Sequence, residues 1–263
     1  MSDAPTFPEQ NHLLAALPER ARERIFPKLK LVELKLGEVI YESGQPIESV
    51  YFPTNCIISL LYVMINGSSA EISVVGNEGM AGIAVFMGGD STPSRTVVQS
   101  QGFAYRLPAP ELKTEFNNSP EVRVLALRYT QALITQMSQT AVCNRHHSID
   151  QQLCRWLLLS LDRLPGNRLT MTQELIANML GVRREGVTEA AGKLQKLGII
   201  EYHRGHITVI DRQQLEAHCC ECYAVVRRET DRLMSASLRP RAGAADSSAP
   251  SSGSPQRGAG SGS

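Results

Sequence analysis

The sequence has no hydrophobic run long enough to cross a bilayer. Its longest apolar stretch, Cys56 to Ile65, is about ten residues and contains Ser59, where a spanning helix needs about 20. Charge of one sign is not in excess: 27 Lys and Arg face 26 Asp and Glu, a net +1. The molecule is no polycation, so any affinity for nucleic acid must sit on a local patch. The opening Met1-Ser-Asp-Ala-Pro-Thr-Phe-Pro8 holds neither a basic leader nor an apolar block, and no secretion signal is expected. Cysteine is sparse, six in 263 residues (56, 143, 154, 219, 220 and 222), unlike the framework of a secreted disulfide domain. The cytoplasm is the expected compartment, and no membrane partner is expected. Catalytic signatures are missing as well. No nucleophile–base pair, Walker loop or His-Glu-x-x-His is found, so no enzymatic activity is expected.

What is present suffices for a core: 42% of residues are hydrophobic and 20% charged, which excludes disorder across the whole chain. A chain of this length suits two domains of about 100–150 residues. Residues 10–118 form the first unit. It opens with short amphipathic helices broken near Pro18 and continues in short β-branched runs: 31–36, 38–41, 49–52, 57–64, 71–75, 96–99 and 103–107. Glycines punctuate these runs every 8–12 residues, the pattern of an antiparallel barrel or roll. Residues 119–146 then read as one long helix, with Ser119 as cap and Pro120 at its first position. It carries two apolar stripes. Val122, Ala126, Tyr129, Leu133 and Met137 form one, and Leu127, Ile134 and Ala141, spaced by sevens, form another. Two stripes need two partners: the roll, and the same helix of a second subunit, giving a homodimer. His146-His147 reads as a solvated hinge. Ser148 and Gln151 have capping-box spacing for the next helix, which opens a unit over 147–234. The Ser/Ala/Gly/Pro/Arg-rich stretch 235–263 reads as a disordered tail.

The sharpest pattern lies between Leu169 and Ile210. Thr172 caps a short helix bearing Ile176, Met179 and Leu180, Gly181 makes a turn, and a second helix runs from Arg183 to Gly198. The inner stripe of that second helix is Val187, Ala190, Ala191, Leu194 and Leu197. Its outer face presents Arg183, Arg184, Glu185, Thr188, Glu189 and Lys193. A brace, a glycine turn and an exposed N-terminal half are what a major-groove helix requires. Arginine forks onto guanine, and glutamate accepts from cytosine. A hairpin tipped by Arg204-Gly205 follows, a basic wing. From Arg183 to Arg204 the balance is five basic to three acidic residues, weakly positive.

In this order the segments resemble the Crp/Fnr superfamily of bacterial transcription regulators, along residues 10–235. Leu36-Gly37-Glu38-Val39-Ile40-Tyr41-Glu42-Ser43-Gly44 echoes a cyclic-nucleotide-binding roll, and Leu180-Gly181-Val182-Arg183-Arg184-Glu185-Gly186-Val187 echoes the family's reading helix. The resemblance implies an α+β fold: an N-terminal antiparallel double-stranded β-roll, a long dimerisation helix and a C-terminal winged helix-turn-helix. It implies a regulator that binds palindromic double-stranded DNA, is controlled by an effector sensed in the roll, and has RNA polymerase as a further partner. The base-reading positions of the family map onto Arg184, Glu185 and Glu189. The last reverses the charge of an arginine found there in some members, and Gly186 is a second departure, costing about 1 kcal/mol against alanine. The alternative class is a ligand-binding adaptor acting through protein partners.

The family's cyclic AMP cassette, Gly-Glu-Leu followed by Arg-Ser or Arg-Ala, corresponds here to Gly79-Met80-Ala81-Gly82-Ile83 followed by Arg95-Thr96. Gly79, Gly82, Arg95 and Thr96 are thus candidate anion ligands. Met80 stands where the ribose-binding glutamate would, and residues 87–94 lengthen the interval, so cyclic AMP is not expected and the effector is left unidentified. His218-Cys219-Cys220-Glu221-Cys222 lacks a second ligand pair at zinc spacing, and on a continuous helix Cys219 and Cys222 would face away from Cys220. Iron–sulfur sensors of this superfamily usually carry an N-terminal cysteine cluster, and the first cysteine here is Cys56. No metal, haem or iron–sulfur cluster is expected.

Overall fold

The computed structural model describes residues 7–235, so the tail read over 235–263 lies, from residue 236 onward, outside the described residues. Two short helices lead in, α1 (His12–Ala15) and α2 (Glu19–Ile25). Asn11 caps α1 by accepting from the Leu13 and Leu14 amides. Its side-chain amide donates in turn to the Pro53 carbonyl (2.9 Å) and the Gly79 carbonyl (2.7 Å), fastening the lead-in to the roll.

The roll comprises β1 (Lys30–Leu34), β2 (Val39–Tyr41), β3 (Ser49–Pro53), β4 (Ile57–Val63), β5 (Ser69–Val75), β6 (Arg95–Ser100) and β7 (Gly102–Pro108). A one-turn helix, α3 (Ala84–Met87), lies between β5 and β6. The strands form two antiparallel sheets, ordered β1-β7-β3 and β2-β6-β4-β5. Their inner faces bury Leu34, Val50, Phe52, Ile58, Val98 and Leu107, among others. Every run read as a strand is one, with ends shifted by a residue or two. Gly37 and Gly44, both at φ +79°, make turns that L side chains enter only with strain.

Helix α4 (Ala109–Asn118) closes the roll, and α5 (Pro120–His146) follows as 27 continuous residues. Ser119 accepts from the Val122 amide at 3.4 Å, as its position suggests. Of the two apolar stripes on α5, Val122, Ala126, Tyr129 and Leu133 are buried, whereas Leu127 and Ile134 stand half exposed, at 50% and 51%. After the hinge come α6 (Ile149–Leu161), β8 (Arg168–Thr170), α7 (Gln173–Leu180), α8 (Arg184–Lys196), β9 (Ile200–His203), β10 (His206–Val209), α9 (Arg212–His218) and α10 (Glu221–Ser235). Ser148 and Gln151 form the capping box of α6. Strand β8 was not legible, because three residues carry no period; it exists by pairing with β10.

Roll and C-terminal unit are joined by buried polar groups. Trp156 of α6 donates its indole N–H to Glu71 of β5 at 3.1 Å, and Gln99 donates to Ser160 at 3.2 Å. Gln136 of α5 accepts from the Val74 amide at 2.7 Å, and Arg163 pairs with Glu78 at 2.7 Å. The Ser59 hydroxyl lies between the Glu71 carboxyl and Gln99 Oε1, the latter at 2.8 Å, and its one proton serves one of them at a time. Burial raises the Glu71 pKa to about 7, against the opposing pull of the Ser59 hydrogen bond and of Arg155, Trp156 and Arg163. The folded chain therefore holds a proton that the unfolded chain has released by about pH 5. This contribution is present in full below the unfolded carboxyl value and is lost as pH rises through about 7. Between about pH 5.5 and 8.5 the loss is on the order of 2 kcal/mol. Glu71→Gln, which keeps the shape without the charge, should gain on the wild type in urea midpoint over that interval; parallel pH profiles would refute the assignment.

Candidate nucleic-acid interface

Thr172 accepts from the Leu175 amide (3.2 Å) to start α7, and Gly181 ends it in the left-handed region at φ +66°. That reversal sets α8 across α7. Val187, Ala190, Ala191 and Leu194 are buried along α8. Arg183 sits at the N-cap position, and Arg184, Glu185, Thr188, Glu189 and Lys193 are exposed on the helix itself. Gly186 has a reason that its helix propensity hides. A Cβ there would come within 2.7 Å of Ile149 Cδ1, so the glycine lets α6 approach α8 closely.

The six outward residues are not equally free. Lys193 lies 3.1 Å from Asp150 and 3.0 Å from Glu189, and the hydrogen bonds to Glu189 and Asp150 raise its pKa. Thr188 donates within reach of Gln173 Oε1 (2.8 Å) and the Arg184 carbonyl (3.0 Å). Arg183, Arg184 and Glu185 form no ion pair among the described residues. Gln173, the first residue of α7, was not singled out by sequence, since nothing in a lone glutamine marks it. Lys196, exposed one turn beyond Gly192, was legible from helical period alone.

The wing is a three-stranded sheet, ordered β8-β10-β9. Its tip has two successive positive φ values, +47° at Arg204 and +81° at Gly205, as a two-residue hairpin turn of the primed kind requires. Arg204 is exposed there, in a backbone region that suits asparagine better than arginine.

The four roll candidates have different immediate partners. Gly79 is occupied by packing: its amide donates to Gly76 O, its carbonyl accepts from Asn11, and a Cβ would overlap the Tyr129 ring at 2.1 Å. Met80 is 1% exposed, and its carbonyl accepts from the Tyr129 hydroxyl at 3.0 Å. Gly82, at φ +105°, lies against Val50 and the Tyr41 hydroxyl. Thr96 is buried opposite Tyr41 in the β2–β6 pairing. Arg95 reaches Glu42 at 3.0 Å, while its Nε is enclosed with no partner.

At the far end of α5 the structure corrects two sequence expectations. The stretch 218–222 is no continuous helix: α9 ends at His218, and Cys219 and Cys220 lie in the break before α10. Cys143 and His147 meet Cys220 and Cys222 there, a contact that the local spacing does not show. His147, read as a solvated hinge, has a side chain only 15% exposed.

A family model for the cyclic nucleotide-binding domain matches residues 31–119, and one for the Crp-like helix-turn-helix domain matches residues 151–218, together more than half of the chain. The global nitrogen regulator of Synechococcus elongatus is 21% identical over 212 residues, covering 77% of this chain and 94% of its own. A regulator chain of the crp/fnr family from Eubacterium rectale superposes with a TM-score of 0.63 at 19% identity, covering 80% of this chain and 98% of that one. The c-di-GMP-responsive regulator CLP of Xanthomonas campestris superposes at 0.59 with 15% identity, covering 73% and 99%. These structures share the fold, and the two matched models fall on the roll and on the helix-turn-helix described above. The chain belongs to the Crp/Fnr superfamily and is a non-enzymatic, DNA-binding transcription regulator.

Proposed function

We propose that this regulator acts in the cytoplasm as a homodimer on a palindromic operator, with an effector in the roll setting its two reading helices. The free face of α5 carries the dimer. Val124, Leu127 and Ile134 are 45%, 50% and 51% exposed. With Gln131, Ser138 and Ala141, also exposed, they recur at alternating steps of three and four residues. That is the spacing of a two-stranded coiled-coil seam. A two-fold axis along it gives two copies of α8 and two wings, suited to half-sites about one helical turn apart.

On each half-site, Arg183, Arg184, Glu185, Thr188 and Glu189 face the major groove in our reading, Lys193 braces against Asp150, and Arg204 meets a phosphate. For the effector, the enclosed and unpartnered Nε of Arg95 supports contact with an anionic group, with Thr96 and Gly82 beside Tyr41. Gly79 keeps the packing role described above.

Four outcomes test this. Wild-type protein should scatter light as a dimer at micromolar concentration, and Leu127→Gln with Ile134→Gln should give folded monomer; a monomeric wild type ends the dimer reading. Arg184→Ala should cost about 1–3 kcal/mol on the preferred site and relax one base position. Arg204→Asn, which keeps the turn, should weaken binding evenly across sequences and reduce the salt slope by about one per subunit, about two for the dimer; an unchanged slope removes Arg204 from phosphate contact. Calorimetry should detect no low-micromolar binding of cyclic AMP or cyclic GMP, because Met80 is buried where a carboxylate would be needed, a loss of about 10- to 150-fold in affinity.

A further inference from the structure

Cys143 and His147 stand one turn apart where α5 ends, and α10 packs along that helix. Cys220 lies just before α10, and Cys222 is its second residue. The two pairs are separated by 75 to 77 residues in sequence, yet Cys143 Sγ is 3.6 Å from Cys220 Sγ and Cys222 Sγ is 3.6 Å from His147 Nδ1. All four ligand atoms lie within 4.8 Å of one another.

Those spacings have the size of a single tetrahedral ion. With Zn–S of about 2.3 Å and Zn–N of about 2.0–2.1 Å, the edges of the ligand tetrahedron are about 3.5–3.8 Å. Two of the edges are already at that length, and the others close with shifts well under the length of a bond. A cluster of several irons holds its thiolates around a wider body, so this set fits one ion.

Two independent features point the same way. The other ring nitrogen of His147, Nε2, lies 3.4 Å from the Glu221 carboxylate. With Nδ1 as the ligand, Nε2 carries the proton and faces a carboxylate, the outer-shell arrangement that orients metal-binding histidines. The second feature is Arg155. It is 4% exposed, donates to Thr140 at 3.2 Å, leaves its Nε without a partner and forms no ion pair among the described residues. A buried guanidinium needs a counter-charge. Three thiolates and one neutral imidazole around a divalent ion carry a net −1, and Arg155 lies within electrostatic reach of Cys143, Cys219 and Cys222.

We propose that Cys143, His147, Cys220 and Cys222 bind one divalent ion of borderline softness, zinc fitting best, which clamps the α9–α10 junction to the end of α5. Thiolate and imidazole suit such an ion and leave magnesium and calcium without oxygen ligands.

Full-length protein, purified in reductant and stripped of metal, should be titrated with cobalt(II). The expected result is one cobalt per chain, with intense visible ligand-field bands of tetrahedral coordination and a thiolate charge-transfer band, both abolished by zinc. Cys143→Ser should lose the charge-transfer intensity of one sulfur, and His147→Ala should weaken zinc at least tenfold, while His146→Ala, at the exposed neighbour, should bind as the wild type does. Glu221→Gln leaves all four ligands in place and should lower zinc affinity about 10- to 100-fold, which keeps the test valid if a cysteine variant fails to fold. The site is refuted if stoichiometric cobalt gives only the pale spectrum of an octahedral ion, or if His147→Ala and Glu221→Gln bind zinc unchanged.

Discussion

The two domains meet on a buried carboxyl group. Glu71 belongs to the roll, yet its nearest partners include the indole of Trp156 on α6, and through Ser59 and Gln99 it is linked to Ser160 on the same helix. Buried polar groups are costly unless each finds its partner. The joint therefore has one low-energy arrangement, which fixes where α6 stands. Helix α6 in turn supports α8 through Ile149 and Asp150. The orientation of α8 thus depends on contacts that begin inside the roll.

Helix α5 serves several partners at once. Its buried stripe belongs to the roll, Gln136 satisfies the backbone at Val74, and its last turn supplies Cys143 and His147 to the C-terminal helices. Arg155 lies between these regions, near enough to act on both Glu71 and the cysteines. The roll, the end of α5 and the cysteines thus have one buried cation as a common neighbour.

Sequence revealed much of this wherever local chemistry decides. Strands of the roll announced themselves by β-branched runs between glycines, and Ser119, Ser148 and Thr172 each cap the helix that their spacing indicated. The outward face of α8 was legible because helical period separates it from Val187, Ala190 and Leu194. Long-range contacts were not legible. Cys143 and Cys220 are 77 residues apart, and no period links them. Treating 218–222 as one helix hid the break that turns Cys220 toward Cys143. Gly79 resembled a phosphate cradle by motif, but the ring of Tyr129, on another element, takes the space beside it.

Gly186 has a consequence for how such a regulator changes its target over evolutionary time. The glycine lies among the outward residues of α8, yet its nearest neighbour is Ile149 of α6, whose Cδ1 would be 2.7 Å from an added Cβ. A Cβ there would require Ile149 Cδ1, the end of a flexible side chain, to shift, and a bulkier residue would ask more of the contact between α6 and α8. In the proposed reading of α8, a change of operator preference would pass through Arg184, Glu185, Thr188 and Glu189, exposed side chains that lie clear of the contact between Gly186 and Ile149.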